Sequence, residues 1–165
     1  MTNQLDLTQW INSAAEAFHD FMGQLLMNDQ EIGSDSLELF DGHDVHALGL
    51  LAGASLFLEV EQGTTIALKI LASKSALSEL THLMLNTSKH EPIEQEDIID
   101  AIKEIVNIVS GGVKCRLNSE YNDSIVLGLP LYIEERIMNG DGTSVWGTLR
   151  MNNIEIFLSV KNTIA

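Results

Sequence analysis

Glu104 and Asn107 are the residues of this chain whose types and spacing point to chemistry. They lie in a segment, 98–113, where Ile98, Ile102, Ile105, Val106 and Val109 recur at helical spacing and predict a buried stripe. Asp100, Glu104, Asn107 and Gly111 follow the same spacing on another stripe. Residues three or four apart are neighbours on one helix face. A carboxylate and a carboxamide are therefore presented side by side, next to a glycine that would let another backbone approach. An amide carries both a donor and an acceptor, so the chemistry it suits is alignment of a small polar group. Asn is a poor residue for a helix interior, because its amide competes with the backbone for hydrogen bonds. Two glycines, Gly111 and Gly112, weaken the same helix near its expected end. Something other than helix stability selects these residues.

The elements that must position this pair can be read along the chain. A first helix is predicted over about 7–26, with Trp10, Ile11, Ala14, Phe18, Met22 and Leu25 on its apolar face. Strands are predicted over 45–51, 55–60 and 64–71, with turns at Asp41-Gly42 and Gln62-Gly63. A short helix covers 75–85, and the polar segment 86–95, with Pro92, leads into the long helix. Further strands are predicted near 124–132, 144–151 and 154–160, separated by turns at Asn139-Gly140-Asp141-Gly142 and Asn152-Asn153.

The two long helices carry an internal repeat. Glu16, His19 and Gly23 match Glu104, Asn107 and Gly111 at one offset of 88 residues. Asp44–Leu51 echoes Asp123–Pro130 in its Asp, Leu, Gly and Leu positions. The chain thus reads as a single domain over 1–165 built from two pseudo-repeats, about 7–72 and 95–161. Each is a helix followed by about three strands. The fold class is α+β: duplicated helix-plus-three-strand units forming an antiparallel sheet packed with two long helices and one short helix.

These residues resemble the CheC/CheX family of chemotaxis phosphatases, the CheX branch most closely. The family motif is Asp or Ser, three residues, Glu, two residues, Asn, twenty-two residues, Pro. Asp100, Glu104, Asn107 and Pro130 meet every spacing. The resemblance implies a phosphatase that hydrolyses the aspartyl phosphate of a CheY-like response-regulator receiver domain. It implies that Asn107 enters the receiver's site and orients the attacking water, while Glu104 contacts a receiver lysine. An acyl phosphate is already activated, so catalysis is mostly alignment and electrostatics. A carboxylate in place of the amide would repel the phosphoryl oxygens. The metal, Mg2+, is expected in the partner receiver, and no cofactor is expected on this chain. Members of the CheC type have two active helices and those of the CheX type one. Here the first helix keeps Glu16 but has His19 where Asn would stand, and Leu51 where Pro130 stands in the echo, so this copy reads as degenerate. A homodimer is also implied.

Other residues have plainer readings. Asp100 suits a first helical turn, where the helix dipole favours an acid. Pro130 reads as a structural stop near the site. His43 and His46 flank Asp44, but alternation in a strand would point them apart, and no third histidine or thiolate is near. Asn139–Gly142 lacks the further acids of a calcium loop. Cys115, the only cysteine, follows the expected helix end with no histidine nearby, so neither a disulfide nor a thiol nucleophile is expected. Met22, Met27 and Met84 read as core filler. No Gly-rich phosphate loop or nucleophile elbow is present.

The totals agree with these readings. In 165 residues, 24 acidic side chains face 9 basic ones, a formal charge of −15. Nucleic acid and anionic membranes both require clustered cations, so neither is expected as a partner. The apolar run 47–60 contains Gly49, Gly53 and Glu59 and is too short to span a bilayer. No basic-then-apolar leader is seen, and a cytoplasmic location is expected. Two alternatives keep the fold without the chemistry: a non-catalytic binding or adaptor module, and a flagellar-switch structural component. An intact Glu-Asn pair separates the phosphatase from both.

Overall fold

The structure, a computed structural model, describes residues 6–26, 37–40, 49–60, 63–137, 143–151 and 153–164. Helix α1 spans Leu7–Leu25, strand β1 Glu38–Phe40, β2 Leu50–Val60 and β3 Thr64–Ala72. Helix α2 spans Lys74–Leu85 and α3 Gln95–Leu117, followed by a 3-10 turn at Asn118–Tyr121. Strands β4 (Val126–Leu127), β5 (Leu131–Arg136), β6 (Ser144–Met151) and β7 (Ile154–Ile164) complete the chain. The seven strands form one antiparallel sheet in the order β1-β6-β7-β3-β2-β4, with β5 also on β2. This is the α+β class expected, with three helices packed on the sheet.

Each helix start is chemically marked. Asp6 accepts from the Thr8 N–H at 3.0 Å and Ser73 accepts from the Ala76 N–H at 3.2 Å. At α3, Asp97 accepts from the Glu94 N–H at 2.9 Å. The apolar face of α1, with Trp10, Ile11, Phe18 and Met22 fully buried, meets the stripe Ile102, Ile105, Val106 and Val109 of α3 over one face of the sheet. Even-numbered residues of β2 and β3, among them Leu56, Leu58, Ile66, Leu68 and Ile70, point into that core. Odd-numbered Leu51 and Leu71 join Ile137, Trp146 and Phe157 in a smaller cluster on the opposite face.

The two long helices run antiparallel. Trp10 Nε1 donates to the Tyr121 hydroxyl at 3.1 Å, and Arg116 reaches back to α1. Contrary to expectation, α3 does not stop at Gly111-Gly112 but continues to Leu117. The reason is the helix crossing. A Cβ on Gly112 would lie 2.7 Å from the Cβ of Ala17, so this glycine is what lets α1 and α3 close. Cys115 therefore sits within the helix, exposed.

Three other expectations are corrected. Leu50 to Val60 is one strand rather than parts of two, because Gly53 marks a close approach to the Ile70 backbone and not a break. The region 124–132 is two short strands with an interruption at 128–130. The Asp44–Leu51 echo does not mark equivalent places, since Leu51 is buried within β2 whereas Pro130 lies between β4 and β5. The short strand β1 was not expected. His43, Asp44, His46, Met27 and the Asn139–Gly142 turn lie outside the described residues. Met22 is buried in the core, and Met84 packs partly buried against it. Gly63, at φ +80°, sits at the predicted turn into β3. Among the described residues no helix is long and apolar enough to cross a membrane.

Candidate active site

Asp100, Glu104 and Asn107 are exposed on the face of α3 opposite its buried stripe. At about 100° per residue, Asp100, Lys103, Glu104 and Asn107 fall within roughly 100° of arc. Together with Gly128, Leu129 and Pro130 they line one open groove of about 390 Å³. Four of the residues singled out from the sequence are thus brought together: Asp100, Glu104, Asn107 and Pro130. Gly111 lies on the same arc one turn further on, with open space where a Cβ would stand. Within this chain the close approach is made at Gly112, against Ala17.

The side chains of Asp100, Lys103, Glu104 and Asn107 make no hydrogen bond or ion pair among the described residues. Donors and acceptors on an exposed helix face are left to water or to a partner. Mid-helix, that choice costs stability, because Asn has a poorer propensity than Ala.

The opposite wall is a β-bulge. Leu127 is paired with Leu58 and Leu131 with Ser55, so three residues of one strand, 128–130, oppose two of β2. The Gly128 N–H donates to the Phe57 carbonyl at 2.7 Å, and a Cβ on Gly128 would lie 3.0 Å from that oxygen. Pro130 has no N–H to offer the ladder, which suits it to the bulge. The extra residue lets both Leu127 and Tyr132 face the helices. The Tyr132 hydroxyl donates to Glu134 at 2.8 Å and lies 3.4 Å from the donor Gln95 Nε2, which links β5 to the first turn of α3. Burial, then the Glu134 carboxylate, raises the Tyr132 pKa, so the phenol stays protonated.

The first helix has a different environment. Glu16 is paired with Arg116 of α3 at 3.4 Å, and the same guanidinium binds Asp20 and donates to the Gly112 carbonyl at 3.1 Å. His19 Nε2 is shielded from solvent and has no hydrogen-bond partner. Thus Glu16 and His19 are present on α1, but the glutamate is engaged and one imidazole nitrogen is closed off.

Lys103, Gly128 and Leu129 were not anticipated. Lys103 was legible as the residue four before Asn107, and Gly128 and Leu129 as neighbours of Pro130. Gly128 and Leu129 signal no function without the bulge that sets them beside α3.

Glu104 and Asn107 thus stand on one helix face, with no side-chain partner among the described residues, across from a bulge in an antiparallel sheet. Residues 56–142, more than half of the chain, match the family described as Chemotaxis phosphatase CheX. The chain belongs to the CheX chemotaxis phosphatase family. The chemotaxis protein CheX of Vibrio vulnificus has a similar structure, with a TM-score of 0.69 at 16% identity, covering 93% of this chain and 99% of that one. A CheC-like superfamily protein from Shewanella sp. PV-4 gives 0.68 at 19%, covering 94% and 97%. The Borrelia burgdorferi CheX–CheY–BeF3–Mg2+ complex gives 0.61 at 11%, covering 93% and 97%. No curated protein matches the chain.

Proposed function

We propose that this protein hydrolyses the aspartyl phosphate of a CheY-like receiver domain. The observation that carries the reading is the groove in which Glu104 and Asn107, free of any partner among the described residues, face Pro130. Asn107 holds a water in line with the phosphorus, its carbonyl oxygen accepting from the water and its amide N–H donating to oxygen. The water oxygen forms the new P–O bond as the bond to the aspartyl carboxylate breaks. Inorganic phosphate leaves, the carboxylate takes the electron pair, and the water's proton passes to phosphate or solvent. Glu104 binds a receiver lysine and holds the register of docking. The Mg2+ belongs to the receiver. That Borrelia CheX was captured with CheY, BeF3 and Mg2+ supports a receiver as the partner.

The proposal includes one active site per chain, a homodimer, a cytoplasmic location, and a single domain of two pseudo-repeats. The last is supported by a sheet order in which β1 lies beside β6 and β5 beside β2, around a β7–β3 centre. The test is phosphate release from acetyl-phosphate-loaded CheY-like receivers with and without this protein. Acceleration by the wild type and its loss in Asn107→Ala are expected. Binding to loaded receivers with no acceleration would make the protein an adaptor.

A further inference from the structure

Leu129 is the most exposed large apolar side chain among the described residues, at 83%. Nothing about its position is loose. The residue before it is held by the Gly128 N–H bond to Phe57 at 2.7 Å. The residue after it is a proline, which confines its own φ and restricts Leu129 to extended backbone. Strand pairing resumes on both sides, Leu127 with Leu58 and Leu131 with Ser55. The bulge therefore aims this side chain, as bulges beside functional sites do. It stands at the edge of the groove it shares with Asp100, Lys103, Glu104 and Asn107, and none of them covers it. A rigidly held leucine with no apolar partner in its own chain loses little entropy when a partner covers it. Val126 and Leu131, on the same two short strands, are also more than half exposed, at 56% and 54%.

We propose that Leu129 is the apolar anchor of receiver docking, filling a hydrophobic depression beside the receiver's phosphorylated aspartate while Glu104 and Asn107 engage the polar site. The inference rests on the phosphatase reading for its partner. Its geometric basis is separate: Leu129 lines the same groove as Asn107, so a domain that delivers a phosphoryl group to that amide comes within reach of it. A buried aliphatic anchor ringed by polar contacts is how interfaces concentrate their affinity. A second copy of this chain is the competing occupant, and the test separates the two.

The measurement uses a CheY-like receiver, phosphorylated by acetyl phosphate for turnover and loaded with BeF3 and Mg2+ for titration. Leu129→Ser is expected to unfold at the wild-type temperature, to raise KM and Kd by about 10- to 30-fold, and to leave kcat within about threefold. At 1.4 kcal/mol per tenfold this is about 1.4 to 2 kcal/mol. Leu129→Met, which keeps an apolar side chain of similar volume, is expected to behave as wild type. Leu129→Cys in a Cys115→Ser background, labelled with a benzophenone maleimide, is expected to cross-link to the loaded receiver. Unchanged Kd and KM in Leu129→Ser would overturn the anchor, as would no binding of the wild type to any loaded receiver. Cross-linking only to a second copy would also overturn it and make this edge a self-interface. If the wild type binds loaded receivers but never accelerates phosphate release, the phosphatase reading fails. The titration then still decides the anchor, which stands if Leu129→Ser weakens binding and falls if it does not.

Discussion

Replacing Asn107 with alanine should make the protein more stable and nearly inactive at once. Asn107 is exposed in the interior of α3, and its side chain makes no bond among the described residues. Its removal leaves no cavity and no unpaired buried group. What remains is helix propensity, which favours Ala over Asn by about 0.6 kcal/mol. For a chain of this size that raises Tm by roughly 1–2 °C. On the proposed mechanism the same change deletes the group that aligns water, which belongs to the class of donor whose loss costs about 10²- to 10³-fold in rate, or about 2.7–4 kcal/mol. Thermal unfolding followed by circular dichroism reads the first quantity. Phosphate release from an acetyl-phosphate-loaded receiver reads the second, and titration with the BeF3-loaded receiver checks that docking survives. Hydrolysis within about threefold of wild type, in a variant that folds and gains stability, would refute the reasoning and return Asn107 to an ordinary solvated position.

Three further outcomes are expected. Glu104→Lys should weaken binding of the loaded receiver by more than the 0.2–1 kcal/mol typical of an exposed ion pair, about tenfold or greater, since it sets like charges together at the dock; an unchanged titration curve would remove Glu104 from docking. His19→Ala should leave turnover within about threefold, about 0.7 kcal/mol at the transition state, because His19 Nε2 is shielded from solvent; a much larger loss at unchanged stability would mean a second working site on α1. The adjacent glycines should respond with opposite signs. Gly111→Ala, with open space for its Cβ, should raise Tm by roughly 2–4 °C through about 1 kcal/mol of propensity. Gly112→Ala should lower it, because forcing α1 and α3 apart at Ala17 costs about 1–3 kcal/mol and outweighs that gain.

How much of this was legible depended on whether the signal was local. The turn residue Gly63 and the alternation of β-branched residues put β3 and β6 close to their observed bounds. The apolar period of α1 did the same for the first helix. The end of α3 was not legible, since a glycine pair reads as a stop until Ala17 is known to pack against it. Nor was the bulge at 128–130, which exists as a mismatch in pairing between β2 and two strands distant in sequence. β1, three residues long, has too few positions to show a period. At the site, Glu104, Asn107 and Pro130 were legible because their spacing is a pattern. Lys103 and Leu129 belong to no pattern and become visible only as the lining of a shared groove.

The contrast between the two long helices gives a physical reason for the single site proposed. Each carries a glutamate followed three residues later by a side chain able to both donate and accept. On α1 the glutamate is drawn to Arg116, a residue of α3 that also binds Asp20 and the Gly112 carbonyl. A glutamate so engaged would have to give up that cation to bind a receiver lysine, and the arginine would lose one of its two carboxylates. On α3 the glutamate holds no such partner among the described residues, so binding a receiver lysine displaces only water. Docking on α3 therefore breaks no such ion pair, a difference of at most about 1 kcal/mol for a pair as exposed as Glu16–Arg116. Arg116 arises from the very turn that extends past the glycines, and it reaches α1 because Gly112 lets the helices close. On this account the crossing that builds the core is also what engages Glu16 and leaves Glu104 open to a partner.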